Sequence, residues 1–349
     1  MPSLWLMRPM PRERTQDDTR TAIDVPALRI ASAADAHYYR PVLEGTSSVV
    51  EGPNADVPSE PSALGSTPAS AGPRPEIWFR RKVRLLPALR EFWSFRELVL
   101  TLAERDLRVR YKQAVLGVAW ALITPVVMMV AFTLVFSSVT HVNTYEPGVP
   151  YALFSYMGLL PWTFFSTSIT TGGMSLVGNV PLLNKLYCPR EVFPIAAMID
   201  ATVDAVIASF VLLLLFPILG FAPKVESFYV PLLFIPLIAF TLGMMMAVSV
   251  IVVFMRDLRL ILPLVVQIGL FATPVIWSPE TLFKSKALLI GYSIVNPLVP
   301  VLDGMRRTML QGLPPDWLSL AAGTVSSLLV LFGGFVLFKR LEPGIADVA

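Results

Sequence analysis

The chain has 349 residues, 54% of them apolar and 15% charged, with a net charge of +3. Soluble domains carry about 25% charged residues, so this composition excludes an ordinary water-soluble enzyme and points to lipid. One cysteine, Cys188, rules out an intrachain disulfide and a cysteine metal cluster, and the two histidines, His37 and His141, lie too far apart to suggest a metal or proton-transfer site.

In chain order, the start Met1-Pro-Ser-Leu-Trp-Leu-Met is too short an apolar stretch for a cleavable signal, and Arg8, Arg12 and Arg14 follow it. Insertion is then expected to begin at the first long apolar block, leaving the N-terminus in the cytoplasm. Residues 1–76 hold seven arginines against ten acids, so the net +6 of the remainder sits beside the membrane segments. Lipid headgroups and loop orientation account for that charge without nucleic acid. Glu51 to Pro75 is dense in Pro, Ser, Ala and Gly without periodicity, which predicts a disordered cytoplasmic extension over residues 1–76.

Composition changes at Ile77. Trp78 and Phe79 stand beside Arg80, Arg81, Lys82 and Arg84, as in a segment lying on an anionic membrane surface. From Phe92 to Lys112, apolar residues at helical spacing alternate with charge, which predicts an amphipathic helix too polar to span. Residues 77–113 are thus read as a membrane-interface segment and 114–349 as a transmembrane domain.

Six apolar blocks follow: Ala114–Ser137, Tyr151–Val177, Ile195–Leu219, Phe228–Phe254, Ile261–Trp277 and Leu318–Phe338. About 20 apolar residues at 1.5 Å rise cross the ~30 Å hydrocarbon core, and backbone groups in lipid must satisfy one another. The fold class predicted is an all-α membrane protein of six transmembrane helices. Eleven positive residues flank one side of these blocks (Arg96, Arg105, Arg108, Arg110 and Lys112, then Lys185, Arg190, Arg256, Arg259, Lys339 and Arg340), whereas the first and third connectors hold only Lys224. Both termini are therefore expected in the cytoplasm. The fifth connector, Ser278 to Trp317, is apolar and broken by Asn296-Pro297 and Pro300, which predicts a re-entrant hairpin between helices 5 and 6.

Catalytic signatures are missing from the sequence. It has no G-x-x-x-x-G-K-[ST], H-E-x-x-H, G-x-S-x-G or D-x-D, and the acids of the outer connectors (Glu146, Glu226, Glu280, Asp303, Asp316) are isolated. No catalytic, cofactor or metal residue is assigned. Two cytoplasmic connectors carry more information. Asn179 to Pro194 is a short amphiphilic piece whose prolines limit a helix to two turns, suited either to a partner's groove or to an ordinary interfacial turn. Phe254-Met-Arg-Asp-Leu-Arg259 reads as a tight charged turn.

Taken in order, the residues resemble a known family. An Arg-rich amphipathic helix precedes Tyr111-Lys112 and Leu116-Gly-Val-Ala-Trp120 with Pro125. The Leu183–Pro194 connector follows, then Phe254-Met-Arg-Asp257, Phe271-Ala-Thr-Pro274-Val-Ile-Trp277-Ser-Pro279 and Asn296-Pro297 with Arg306 and Gly312. Over residues 90–345 the chain resembles the ABC-2 type permeases that export polysaccharides such as O-antigen, capsule, teichoic acid and galactan. The long N-terminal extension departs from that family's short start.

The resemblance implies a homodimer whose energy comes from a separate ATPase subunit, with ATP and Mg bound there and no cofactor on this chain. It implies that Asn184, Lys185, Tyr187, Arg190 and Glu191, together with Arg256 and Asp257, couple to the ATPase. Sugar rings present apolar C–H faces that stack on aromatics and slide, so Trp120, Phe154, Tyr156, Trp162, Phe271, Trp277 and Tyr292 are channel candidates, although aromatic belts facing lipid use the same residues. Arg105, Arg108, Arg110, Asp200 and Asp204 are candidates for a gate at the cytoplasmic mouth, with Asp200 and Asp204 on one helix face and a pairing to Arg190 open to them. Arg306 and Arg307 are weighed for a lipid-linked pyrophosphate, a role their outer position disfavours. The function expected is inner-membrane export of a lipid-linked polysaccharide. A small-amphiphile exporter and a membrane glycosyltransferase or polymerase remain as alternatives.

Overall fold

The computed structural model describes residues 93–112, 117, 119–139, 149–183, 185, 188–279 and 285–348. The expectations for the N-terminal extension and for Trp78 to Arg84 lie outside these residues. Among the described residues every regular element is helical. The helices are α1 (Arg96–Lys112), α2 (Ala119–Val139), α3 (Tyr151–Thr167), α4 (Gly173–Gly178), α5 (Val180–Leu183) and α6 (Val192–Ile218), followed by α7 (Val230–Phe254), α8 (Leu258–Ala272), α9 (Lys286–Val295), α10 (Leu298–Arg306) and α11 (Trp317–Val348). Four stretches among the described residues, Ala119–Phe136, Val192–Ile218, Val225–Phe254 and Trp317–Ile345, are long and apolar enough to cross a membrane.

The second apolar block also folds as one unbroken rod. Segments of 17, 5 and 6 residues, α3, a π-helical turn at Ser168–Gly172 and α4, run from Tyr151 to Gly178, about 40 Å at helical rise. The π turn has local causes. Thr170 and Thr171 donate back to the carbonyls of Ser166 and Thr167, each at 2.7 Å, and Gly172 leaves room for the Met245 side chain.

Helix ends differ from the sequence reading where single residues decide them. Gly117, at φ 48, sits between α1 and α2, a conformation that a Cβ makes costly. Pro274 disfavours helical backbone in the residue before it, so α8 stops at Ala272 and the last five residues of the predicted Ile261–Trp277 block are not helical. Pro194 does not delay α6, because a proline within the first turn sacrifices an N–H that lacks a helical partner anyway. The last helix continues past Phe338 through Lys339 and Arg340, carrying charged residues beyond the apolar block.

Two cores hold the bundle. The larger is built mainly from α3, α6, α7 and α10 and includes Leu153, Met157, Leu160, Leu237 and Leu302. The smaller gathers one face of α1 (Val99, Leu102, Ala103) against Leu176, Phe193, Val250 and Phe338. The α7–α11 contact depends on glycine. A Cβ on Gly334 would run into the Gly243 carbonyl, and one on Gly243 would lie 2.5 Å from Leu331 Cα. Such close backbone approach is how helices associate in lipid, where no hydrophobic force separates them from the solvent.

Candidate functional site

At the α1 end, the buried apolar face of this helix seats it on α6 and turns its last charged residues toward α6. Arg110 Nη1 lies 2.8 Å from Asp204 Oδ2, and the Tyr111 hydroxyl donates to Asp204 Oδ1. Burial, reinforced by the hydrogen bond to Asp204, pushes the Tyr111 phenol up to about 12. One turn earlier on α6, Asp200 is only 2% exposed, and among the described residues its Oδ1 has no hydrogen-bond partner. Arg105 bridges elsewhere, donating to Asn179 Oδ1 at 2.9 Å, while Asn179 donates to the Ser175 carbonyl. Arg108 pairs with Glu104 on the exposed face of α1, an arrangement of little energetic weight.

Above this knot lies a cavity of about 440 Å³ between α2, α3 and α6. Arg110, Tyr111 and Asp204 form one end of its lining, Trp120 and Trp162 contribute indoles, and Thr163, Ser166 and Thr167 contribute hydroxyls. Trp162 is held against α8, for a Cβ on Gly269 would stand 3.0 Å from its ring. Its ring centroid lies 5.6 Å from that of Phe165, which stacks in turn on Phe240. Trp120 remains half exposed.

The connector into α6 is tied to the far end of the chain. Glu191, 2% exposed, pairs with Lys339, which also reaches Glu342 at 3.0 Å. Burial and the nearby Glu342 carboxylate raise the Glu191 carboxyl above its usual range, and Lys339 opposes that shift. Arg190 donates to the Glu342 backbone carbonyl.

At the C-terminus of α8 the last carbonyls lack helical partners, and side chains take them up. Tyr292 donates to the Ala272 carbonyl, Trp277 Nε1 to Phe271 at 3.1 Å and Tyr151 to Ile276 at 2.9 Å. Arg306, 1% exposed, donates from Nη1 to Pro274 at 2.7 Å and from Nη2 to Val275 at 2.5 Å, with longer contacts to Trp277 and Phe154. Its guanidinium carbon lies 3.7 Å from the centre of the Phe154 ring.

Residues 97–310 match the family described as ABC-2 type transporter. The chain belongs to that family. It is 27% identical over 263 residues to an O-antigen export system permease protein, RfbA, of Myxococcus xanthus, covering 75% of this chain and 99% of that protein. An RfbA of Klebsiella pneumoniae is 24% identical over 255 residues, covering 72% and 95%. The polysialic acid transport protein KpsM of Escherichia coli is 24% identical over 245 residues, covering 68% and 91%.

As an ABC-2 type transporter with several apolar helices this is a multi-pass membrane protein. The structure brings Arg110, Asp204, Trp120 and Trp162 to one cavity. It departs from the sequence reading at Asp204, whose partner is Arg110 rather than Arg190. Arg190 lies 14 residues earlier on the chain, about 20 Å along a helix, which is beyond a side chain's reach. Phe154 and Tyr156 are core residues of the protomer. Phe154 lies under Arg306, and the Tyr156 hydroxyl donates to the Ala208 carbonyl at 2.8 Å. Trp277 and Tyr292 serve the end of α8, while Phe271 is exposed. Lys185, Arg256 and Asp257 are exposed; Asn184 and Tyr187 lie outside the described residues.

Sequence reasoning missed the contacts that three side chains make. Lys339 and Glu342 were legible as charges following the last apolar block, a signal for a helix running on past the membrane boundary. Arg306 was visible as an arginine in an apolar connector, where a buried charge needs partners.

Proposed function

We propose that this chain is the permease subunit of an ATP-driven exporter that moves a lipid-linked polysaccharide across the inner membrane. The observation that carries the reading is the end-to-end match with RfbA of Myxococcus xanthus, covering 99% of that export permease. In this reading a separate ABC ATPase binds ATP and Mg, in keeping with the missing P-loop, and two copies of this chain form the membrane unit. Six spans cross the bilayer. The fifth is α8 with its unwound end, and α9 and α10 form a hairpin that dips back into the outer leaflet. The break at Asn296-Pro297 and the satisfied carbonyls of residues 271–277 support that arrangement. α1 lies at the cytoplasmic interface, the eleven positive flanking residues face the cytoplasm, and both termini are cytoplasmic.

Coupling runs through Asn184, Lys185, Tyr187, Arg190 and Glu191, with Arg256 and Asp257 in the neighbouring turn. The pairing of Glu191 with Lys339 supports a route by which a push on this connector reaches α11 as well as α6. A closing ATPase then shifts two helices as rigid bodies. The aromatic candidates guide sugar through weak, repeated contacts.

The test is co-purification. Lys185 is exposed, so Lys185→Glu leaves the bundle intact while reversing charge on the docking face. The full chain should bring down an ABC ATPase subunit, and Lys185→Glu should weaken that pairing tenfold or more, on the order of a charge pair turned to repulsion. A chain that purifies alone from every detergent overturns the reading.

A further inference from the structure

We infer that the π turn at Ser168–Gly172 is a mobile joint with a second seat at Pro161, and that its movement exchanges side chains on the cavity wall while both ends of the rod stay in place. The inference rests on the exporter reading only for what drives the joint.

Each seat accepts an open turn for a chemical reason. At the present one, Thr170 and Thr171 bond back along the helix, and two consecutive glycines face its neighbours. A Cβ on Gly172 would run into Met245, and one on Gly173 would stand 2.7 Å from Val248 Cγ1. Bare backbone against a flexible methionine lets the rod turn there. Pro161 lies inside α3. Its ring has no N–H for the carbonyl four residues back and crowds it, so an opened turn forfeits no bond from that residue.

A π turn bonds across one residue more than an α turn. When it moves from 168–172 to 159–163, Phe164 to Ser168 each step back one helical place, about 100° around the axis and 1.5 Å along it. The ends stay, with Tyr156 on the Ala208 carbonyl and Asn179 between Ser175 and Arg105. The sequence between the seats, Phe164-Phe165-Ser166-Thr167-Ser168, nearly repeats under that step. Phe165 comes to stand where Phe164 stood, Thr167 where Ser166 stood and Ser168 where Thr167 stood. The cavity keeps an aromatic and two hydroxyls at those places, so the two registers lie close in energy. One place changes character. Ser166 replaces Phe165, whose ring stacks on Phe240 at 5.4 Å, and α3 is thereby loosened from α7.

Ser168 carries the mark of the second register. It is 0% exposed, and among the described residues its hydroxyl has no hydrogen-bond partner. Thr163, Ser166, Thr170, Thr171 and Ser175 on the same rod all donate to carbonyls three or four residues back. A buried hydroxyl left unmet is a cost of the present register, and the place of Thr167 on the cavity wall removes it.

The experiment follows two thiols in a Cys188→Ser chain held with its ATPase subunit in nanodiscs. Ser168→Cys and Ser166→Cys are each treated with a water-soluble methanethiosulfonate, which reacts with a thiol where water ionises it. Rates are measured without nucleotide and with ATP and vanadate. With trapped nucleotide, Ser168→Cys should react about tenfold faster and Ser166→Cys about tenfold slower, as the minor register becomes the major one. Thr170→Val with Thr171→Val removes the bonds that hold the present seat. In that background, without the ATPase, Ser168→Cys should react about threefold faster. Two thiol rates that rise together report a general loosening and overturn the inference. Unchanged rates beside normal nucleotide trapping overturn it and leave the exporter reading standing. Where no ATPase binds, the exporter reading falls and the valine pair decides the joint: a faster Ser168→Cys supports it, and an unchanged rate overturns it.

Discussion

α7 and α2 both belong to stretches apolar enough to cross a membrane, yet they occupy opposite positions in the protomer. Of the 18-residue apolar window in the stretch that ends in α7, 61% is buried inside the structure, whereas only 11% of the α2 window is. Hydropathy reports the cost of leaving lipid and says nothing about which neighbours a helix finds there. What makes α7 central is surface shape. Gly243 admits α11 backbone to backbone, Gly172 admits Met245 of α7, and Thr241 and Ser249 bond to their own helix instead of projecting unpaired. α2 shows the opposite, with Val127, Leu134 and Val135 more than half exposed and Trp120 beside the cavity. α8 resembles α2, exposing Leu260, Leu264 and Ile268. In the exporter reading these two sparsely covered helices are available to lipid, to a second copy and to the glycan path, while α7 and α11 form the axis they move against.

The comparison breaks most severely at the glycine crossing. Gly334→Leu forces its side chain into the Gly243 carbonyl, and because backbone cannot yield as a side chain can, the cost should exceed about 3 kcal/mol. Gel filtration should show loss of monodisperse protein, whereas a comparable addition on α2, Val127→Leu, should leave the profile unchanged.

Next in size is Arg306→Met, which strips the donor from the carbonyls of Pro274, Val275 and Trp277 at once. Each buried acceptor left unmet costs about 1–3 kcal/mol, so thermal unfolding in detergent should drop by several kcal/mol. Arg306→Lys should rescue little, because one ammonium cannot span acceptors that need a planar fork.

Lys339→Ala should cost roughly 2 kcal/mol, since it leaves Glu191 buried without its cation. Its pH dependence has a definite sign. The Glu191 carboxyl is already raised by burial, so its ionisation disfavours the fold, and stability present at low pH is lost as pH rises through that raised value. Without Lys339 the loss grows, so the gap between variant and wild type should widen from acidic to neutral pH. Glu191→Gln in the same chain should flatten it.

The smallest effect belongs to the exposed face of α2. Leu134→Ala should change protomer stability by less than about 0.5 kcal/mol, and a drop of 2 kcal/mol in the same thermal melt would show that this face is covered by something the isolated protomer lacks.

The sequence made the apolar blocks, the amphipathic α1 and the charged connectors legible because each is a local pattern of spacing or composition. Partnerships across the chain were not legible. Glu191 and Lys339 lie 148 positions apart, and no local pattern signals that the end of the last helix returns beside the start of α6. The reach of Arg110 to Asp204 rather than Arg190 to Asp204 depends on how α1 seats against α6. Tyr156 and Trp162 look alike as aromatics in one apolar block, and only packing sends the first into the core and the second to a cavity wall. The end of α8 was misread for a related reason, since hydropathy continues smoothly through Thr273-Pro274 while the backbone does not.

If, as proposed, this chain exports a lipid-linked polysaccharide, that glycan can be followed in cells depleted of the chain. Lipid-linked glycan on the cytoplasmic face and polysaccharide at the cell surface are quantified together. The account predicts that the first accumulates while the second disappears, and that restoring the wild-type chain reverses both. Surface polysaccharide that persists at its normal level, with no accumulation inside, would contradict it.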